Sequence, residues 1–122
     1  MLKIIVIDDS QTVRDELNEV LSAAGFVVIV AEDGQEGAKA VHAHPDASLA
    51  ICDVHMPTLS GLELLELLHE EGTSTVPFLM LTTQARSDLL DRARALGAKG
   101  WMVKPFKPRL LIAAVKKLAR GA

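Results

Sequence analysis

The chain holds one cysteine, no tyrosine and only 3% aromatic residues. Cys52, being alone, cannot close an internal disulfide, and a reducing compartment is the simplest setting for such a sequence. With so few aromatic rings, the core has to be built from Leu, Ile, Val and Ala. Lys and Arg form no run and the formal net charge is −3, so nothing attracts a nucleic-acid backbone to this domain. No apolar stretch has membrane-spanning length. Leu2-Lys3-Ile4-Ile5-Val6-Ile7 is strand-sized and runs directly into two carboxylates, unlike a signal peptide or a transmembrane span. A cytoplasmic domain with no membrane partner is the expectation.

What is present describes a folded core. Hydrophobic residues make up 49% of the 122 positions and charged residues 24%, the balance of one globular domain over residues 1–122. Five short apolar runs alternate with five stretches of helical character. The runs are Lys3–Ile7, Val27–Ala31, Leu49–Cys52, Phe78–Leu81 and Gly100–Val103. Most are continuously apolar, as strands covered on both faces are.

Between the first two runs, Val13, Leu17, Val20, Leu21 and Ala24 share a helical stripe that Gly25 is placed to end. A second helix is expected from about Gly34 to His44, before Pro45. A third starts near Gly61 and carries Leu62, Leu65 and Leu68. Ser87-Asp88 reads as the N-cap of a fourth, and Pro108 suits the first turn of a fifth holding Leu111, Val115 and Leu118. Strict alternation of this kind predicts a doubly wound α/β fold: a parallel sheet with helices on both faces.

Ligands of such sheets bind beyond the carboxyl ends of the strands, where the strand order reverses. The polar residues there are Asp8-Asp9 after strand one, Asp53 after strand three, Thr82-Thr83 after strand four and Lys104 after strand five. Each alone has an ordinary reading as a turn, a cap or a solvated surface group. Together they place three carboxylates, a hydroxyl and an ammonium on one rim. Crowded carboxylates raise one another's pKa unless a cation neutralises them. The hard oxygen donors, with no His/Cys cluster, favour Mg²⁺ over zinc or copper. A carboxylate in that field can act as a nucleophile toward phosphorus.

Asp8-Asp9-Ser10, Asp53-Val54-His55-Met56-Pro57 followed by Gly61, Thr82, and Lys104-Pro105-Phe106 occur in that order, each after its own strand. In this the sequence resembles the receiver domain of two-component response regulators, along essentially its whole length. The resemblance implies a flavodoxin-like (CheY-like) five-stranded parallel sheet in the order 2-1-3-4-5 with five helices. It implies a phosphorylation-activated signalling switch and not a conventional enzyme. Asp53 would be the phosphoacceptor. Asp9 and Asp53 would ligate Mg²⁺ directly, Asp8 through water, and the backbone carbonyl of His55 would complete the set, with Mn²⁺ as a substitute metal.

By the same resemblance, Thr82 and Lys104 would contact the phosphoryl group, and Lys104-Pro105 would be a cis peptide. Trp101 stands at the aromatic switch position, where the family usually has Tyr or Phe. Its indole is either a rotating switch or a fixed surface anchor. A histidine kinase or histidine phosphotransfer protein would dock on the first helix and the loop after strand five. An output partner or fused effector would read the surface of helix four, strand five and helix five.

Thr83 departs from the family's small residue and narrows access to Asp53, while His55 and Gln84 sit where the family tunes phosphate lifetime. His42 and His44, two apart on a helix, face different ways and make a poor metal pair. His69 reads as a complement to a helix dipole, Cys52 as inert packing, and Glu63, Glu66, Glu70 and Glu71 as a solvated face. Phe106 reads equally as core or as docking surface. Two competing functions are a phosphohydrolase of the haloacid dehalogenase type and a degenerate receiver that only binds partners. The first would carry a D-x-D pattern after strand one, where this chain has Asp8-Asp9-Ser10. The complete acidic, hydroxyl and lysine set argues against the second.

Overall fold

A computed structural model of the chain describes residues 2–72, 74–84 and 86–121. The expected domain limits, residues 1 and 122, therefore lie just outside it. Ten elements alternate: β1 (Lys3–Ile7), α1 (Gln11–Ala23), β2 (Val27–Ala31), α2 (Gly34–Ala43), β3 (Leu49–Asp53), α3 (Gly61–Glu71), β4 (Phe78–Thr82), α4 (Ser87–Ala95), β5 (Gly100–Val103) and α5 (Pro108–Leu118). The five strands are all parallel, in the order β2-β1-β3-β4-β5. That is the doubly wound order expected. No described helix is long and apolar enough to cross a membrane.

The two-residue period of a strand divides the core into two halves. Ile5, Ile7, Ala50, Cys52, Phe78 and Met80 face one way and pack with Val41 of α2, Leu64, Leu65 and Leu68 of α3, and Ala93 of α4. Ile4, Val6, Leu49, Ile51, Leu79 and Leu81 face the other way and meet Leu17 and Leu21 of α1 with Leu111 and Val115 of α5. Both faces of β1, β3 and β4 are therefore dry, which accounts for their continuous apolar runs.

The helix ends follow local chemistry. Ser10 and Asp33 accept hydrogen bonds from the third backbone N–H of α1 and α2, and Ser60 and Glu63 form a reciprocal capping box at α3. α4 differs from expectation: its N-cap is Arg86, which makes no side-chain capping bond, and Ser87 is already helical. Arg86 instead pairs with Asp88 at 2.6 Å, so the acid of the expected cap serves a neighbouring guanidinium. In α1, Ala24 is an exposed C-cap and not part of the buried stripe.

At the amino end of the sheet, the Arg120 guanidinium donates to the carbonyls of Pro45 and Ala47 at 2.8 Å and of Thr75 at 3.2 Å. It thus ties the end of α5 to the loops before β3 and β4. At the opposite end, Gly61 lies against the strand that carries Asp53. A Cβ there would overlap the Asp53 carbonyl oxygen and stand 3.0 Å from the Val54 Cα. Backbone cannot yield as a flexible side chain can. Gly61→Ala is expected to destabilise the fold by about 2–4 kcal/mol, as overpacking against rigid neighbours does. Urea unfolding followed by circular dichroism measures it.

Candidate functional site

β1 and β3 deliver carboxylates to the carboxyl end of the sheet, and the parity that sorts the core also sorts the site. Asp8 and Asp53 continue the series of Ile4, Val6, Leu49 and Ile51, and Lys104 continues that of Met102. The ladder extends past β1 through Asp8, whose N–H donates to the Ala31 carbonyl at 3.1 Å. Asp8 is fully buried and Asp53 nearly so, while Asp9 is exposed. One carboxylate oxygen from each of the three lies within 4.8 Å of the others.

The Lys104 ammonium holds this charge in place. It donates to Asp8 Oδ2 at 2.8 Å and stands 3.4 Å from Asp53 Oδ1. The expected cis peptide between Lys104 and Pro105 is present. Asp8 Oδ1 accepts from the Ser10 N–H at 2.9 Å, and Asp53 Oδ1 takes a longer bond from the His55 N–H at 3.4 Å. Every buried side-chain polar atom among the described residues has a partner. The Asp8, Asp9 and Asp53 oxygens form the hard, all-oxygen donor cluster that suits Mg²⁺.

Burial pushes the Asp53 pKa from 3.8 to about 6, and the Asp8 charge adds to the rise. The Lys104 ammonium and the His55 N–H pull in the opposite direction without cancelling it. For Lys104, desolvation disfavours the charge, but the Asp8 hydrogen bond and the two carboxylates outweigh it and raise the pKa. The neighbouring Cys52 thiol is fully buried and its pKa is driven far up, by desolvation first and then by Asp53. It is packing and not a nucleophile.

Thr82 stands apart from this cluster. It belongs to the opposite parity, with Phe78 and Met80, and its hydroxyl is engaged with its own loop. Oγ1 donates to the Gln84 carbonyl at 2.9 Å and accepts from the Gln84 N–H at 3.0 Å. Trp101 shares that face: it pairs in register with Met80 and packs, half-buried, against the α2–α3–α4 half of the core. The Arg94 guanidinium lies 5.0 Å from the centre of its ring, within cation–π range. Thr83 and Phe106 border a depression of about 250 Å³ beside Lys104, together with Val13 and Glu16. A larger groove of about 620 Å³ follows edge strand β2 between α1 and α2. It is open to solvent, and Asp53 is not among its lining residues.

Sequence reasoning missed Arg14. Its guanidinium donates to the Asp8 carbonyl at 2.7 Å and braces the β1–α1 turn from the first helix. A lone arginine five residues after an acidic pair was the available signal. His42, on α2, pairs with Glu71 of α3 at 2.8 Å, and neither His42 nor His44 joins the acidic cluster.

The sheet order and the acidic end together define a flavodoxin-like α/β domain with an acidic rim at the carboxyl ends of its strands. Within that class the chain belongs to the response regulator receiver domain family, whose family model matches residues 4–116. It is thus a receiver domain of two-component signalling. Over 120 residues it is 40% identical to the Probable transcriptional regulator ycf27 of Porphyridium aerugineum, covering 97% of this chain and 48% of the relative. It therefore spans about half the length of that regulator. Chemotaxis protein CheY1 of Helicobacter pylori is 32% identical over 112 residues, 90% of each chain. The solved structure of Vibrio cholerae CheY4 superposes with a TM-score of 0.90 at 32% identity, covering 97% of this chain and 98% of that one.

The raised Asp53 pKa sets the sign of a pH effect. A carboxyl that binds its proton more tightly when folded contributes stability that is whole below pH 3.8, its unfolded value, and gone above about pH 6. In EDTA, Asp53→Asn is therefore expected to gain stability over the parent as pH rises from about 4 to 7. The gain should reach about 2 kcal/mol, since one pKa unit corresponds to about 1.4 kcal/mol. Chemical denaturation of both proteins across that range reads the difference; a gap that shrinks with pH contradicts the assignment.

Proposed function

We propose that this domain takes a phosphoryl group onto Asp53 from the phosphohistidine of a histidine kinase or histidine phosphotransfer protein. One observation carries the reading: a nearly buried carboxylate shares its site with two other carboxylates and an ammonium. An Asp53 oxygen bonds to phosphorus as the donor's N–P bond breaks. The protein is left with an acyl phosphate, and the donor imidazole regains a proton from solvent. Water later attacks phosphorus, the P–O bond to Asp53 breaks, and inorganic phosphate leaves, restoring the Asp53 carboxylate. Asp8, Asp9, Asp53 and the His55 backbone carbonyl form the metal-binding set. Mg²⁺, or Mn²⁺ in its place, supplies positive charge to the clustered carboxylates and to the oxygens of the transferring group.

The chain's own residues do the rest. Lys104, already 3.4 Å from Asp53 Oδ1, offers its ammonium to a phosphoryl oxygen there. The Thr82 hydroxyl reaches the phosphoryl group only by leaving Gln84, so phosphorylation reshapes the loop that follows β4. α1 and the β5–α5 loop, where Val13, Glu16 and Phe106 border the depression beside Lys104 together with Thr83 of the β4–α4 loop, form the donor's docking surface. Readout passes through α4, β5 and α5 to an output partner or a fused effector. Thr82 and Trp101 share the sheet face toward α4, which supports that route.

With phosphoramidate and Mg²⁺, intact mass spectrometry should show one added phosphoryl group on the parent and none on Asp53→Asn. A variant that still gains the mass at the parental rate overturns the assignment. Mn²⁺ calorimetry on Asn variants should show larger losses for Asp9 and Asp53 than for Asp8.

Trp101 is the only tryptophan in a chain without tyrosine, so its emission reports the indole alone. Beryllofluoride with saturating Mg²⁺ is expected to shift both emission and iodide quenching, and Asp53→Ala to abolish the shift. A cation–π contact such as that of Arg94 is worth about 0.5–1 kcal/mol at a partly exposed site. If that contact restrains the ring, Arg94→Met should lower the beryllofluoride concentration needed by about two- to fivefold. Unchanged emission on activation identifies the indole as a fixed surface anchor.

A further inference from the structure

The net charge of −3 conceals a division along the chain. Residues 92–122 hold nine Lys/Arg and no Asp/Glu, while residues 1–91 hold four Lys/Arg against all sixteen acids. The cations of α4 are occupied: Arg86 pairs with Asp88, Arg92 with Glu66 at 2.6 Å, and Arg94 lies near Asp91 and over Trp101. Those of α5 are not. Among the described residues, no ion pair engages Lys107, Arg109, Lys116 or Lys117.

Helix stability explains only half of this set. Lys116 and Lys117 in the last turn complement the helix dipole, whereas Lys107 at the N-cap and Arg109 in the first turn oppose it, with no acid in that turn to compensate. Arg109 and Lys116 sit seven residues apart, two turns or about 10 Å along one face. Between them a shallow depression of about 470 Å³ is lined by Pro108, Ile112 and Ala113. Leu110 beside it is 58% exposed. The face is thus an apolar floor with a cation at each end.

We propose that the outer face of α5 docks an acidic amphipathic helix of a partner protein. That helix carries carboxylates two turns apart, meeting Arg109 and Lys116, with an apolar side chain between them resting on Ile112 and Ala113. This names the chemistry of the output partner and rests on the reading that α5 belongs to the readout surface. A symmetric pair of copies joined through this face would bring cation against cation. An extended polyanion would overrun the strip, because α1, which packs beside α5, exposes Asp15, Glu16 and Glu19. A single acidic helix fits the width available.

The test titrates the ¹⁵N-labelled chain with an acidic helical peptide of about 15 residues, carrying Glu at two-turn spacing around Leu, and with its Lys-for-Glu counterpart. Amide shifts confined to residues 109–117, seen with the acidic peptide and weakened by salt, are expected. Arg109→Glu and Lys116→Glu, both on exposed side chains, should each weaken binding by about tenfold. Repeating the titration with Mg²⁺ and beryllofluoride separates the two readings. Binding that ignores activation supports the docking face and removes the readout through it; no binding in either state overturns the docking face alone. The proposal also fails if both peptides bind equally or the shifts fall elsewhere. It fails too if duplex DNA or anionic vesicles perturb the same amides more strongly, or if Arg109→Glu dissociates a dimer seen in sedimentation.

Discussion

Two carboxylates, Asp8 and Asp53, lie nearly out of reach of water at one end of the sheet, and the Lys104 ammonium is what makes that tolerable. Without a cation their mutual repulsion and lost hydration would strain the ends of β1 and β3. The lysine comes from the far edge of the sheet, 96 residues from Asp8. The site therefore exists only after β5 has paired with β4 and the β5–α5 loop has closed over the rim. Chemistry and topology are not separable here: the last strand in the sequence leads to the charge that the first and third require.

The same arrangement makes the sheet a partition. Asp8, Asp53 and Lys104 follow the parity of the α1–α5 half of the core, and Thr82 and Trp101 that of the α2–α3–α4 half. Thr82, at the carboxyl end of β4, stands between the two halves of the rim. Its hydroxyl, held by both backbone groups of Gln84, is satisfied in the absence of a phosphoryl group.

Much of this was legible before any coordinates. Continuous apolar runs implied strands covered on both sides, and the rule that ligands gather at strand carboxyl ends selected Asp8, Asp9, Asp53 and Lys104. What stayed hidden depends on where a side chain points in three dimensions. Nothing in the order of residues says that Thr82 turns to Gln84, that Arg14 reaches back to the Asp8 carbonyl, or that Arg94 lies over Trp101. The cap of α4 was misplaced for a related reason. Ser87-Asp88 has the right chemistry for an N-cap, but the N-cap is Arg86, one residue earlier, and Asp88 pairs with its guanidinium.

Cys52 takes no part in the chemistry, yet its position makes it a clock. It is the sole thiol, it is fully buried on the central strand, and it adjoins Asp53. A thiol reagent can reach it only when β3 comes away from its neighbours, so the rate of its modification counts openings of the sheet. Whatever tightens the carboxylate end, from a divalent ion to a covalent phosphate, must slow that clock in proportion to how strongly it binds the closed molecule. The domain thus carries a native probe that converts occupancy of its site into the lifetime of its core.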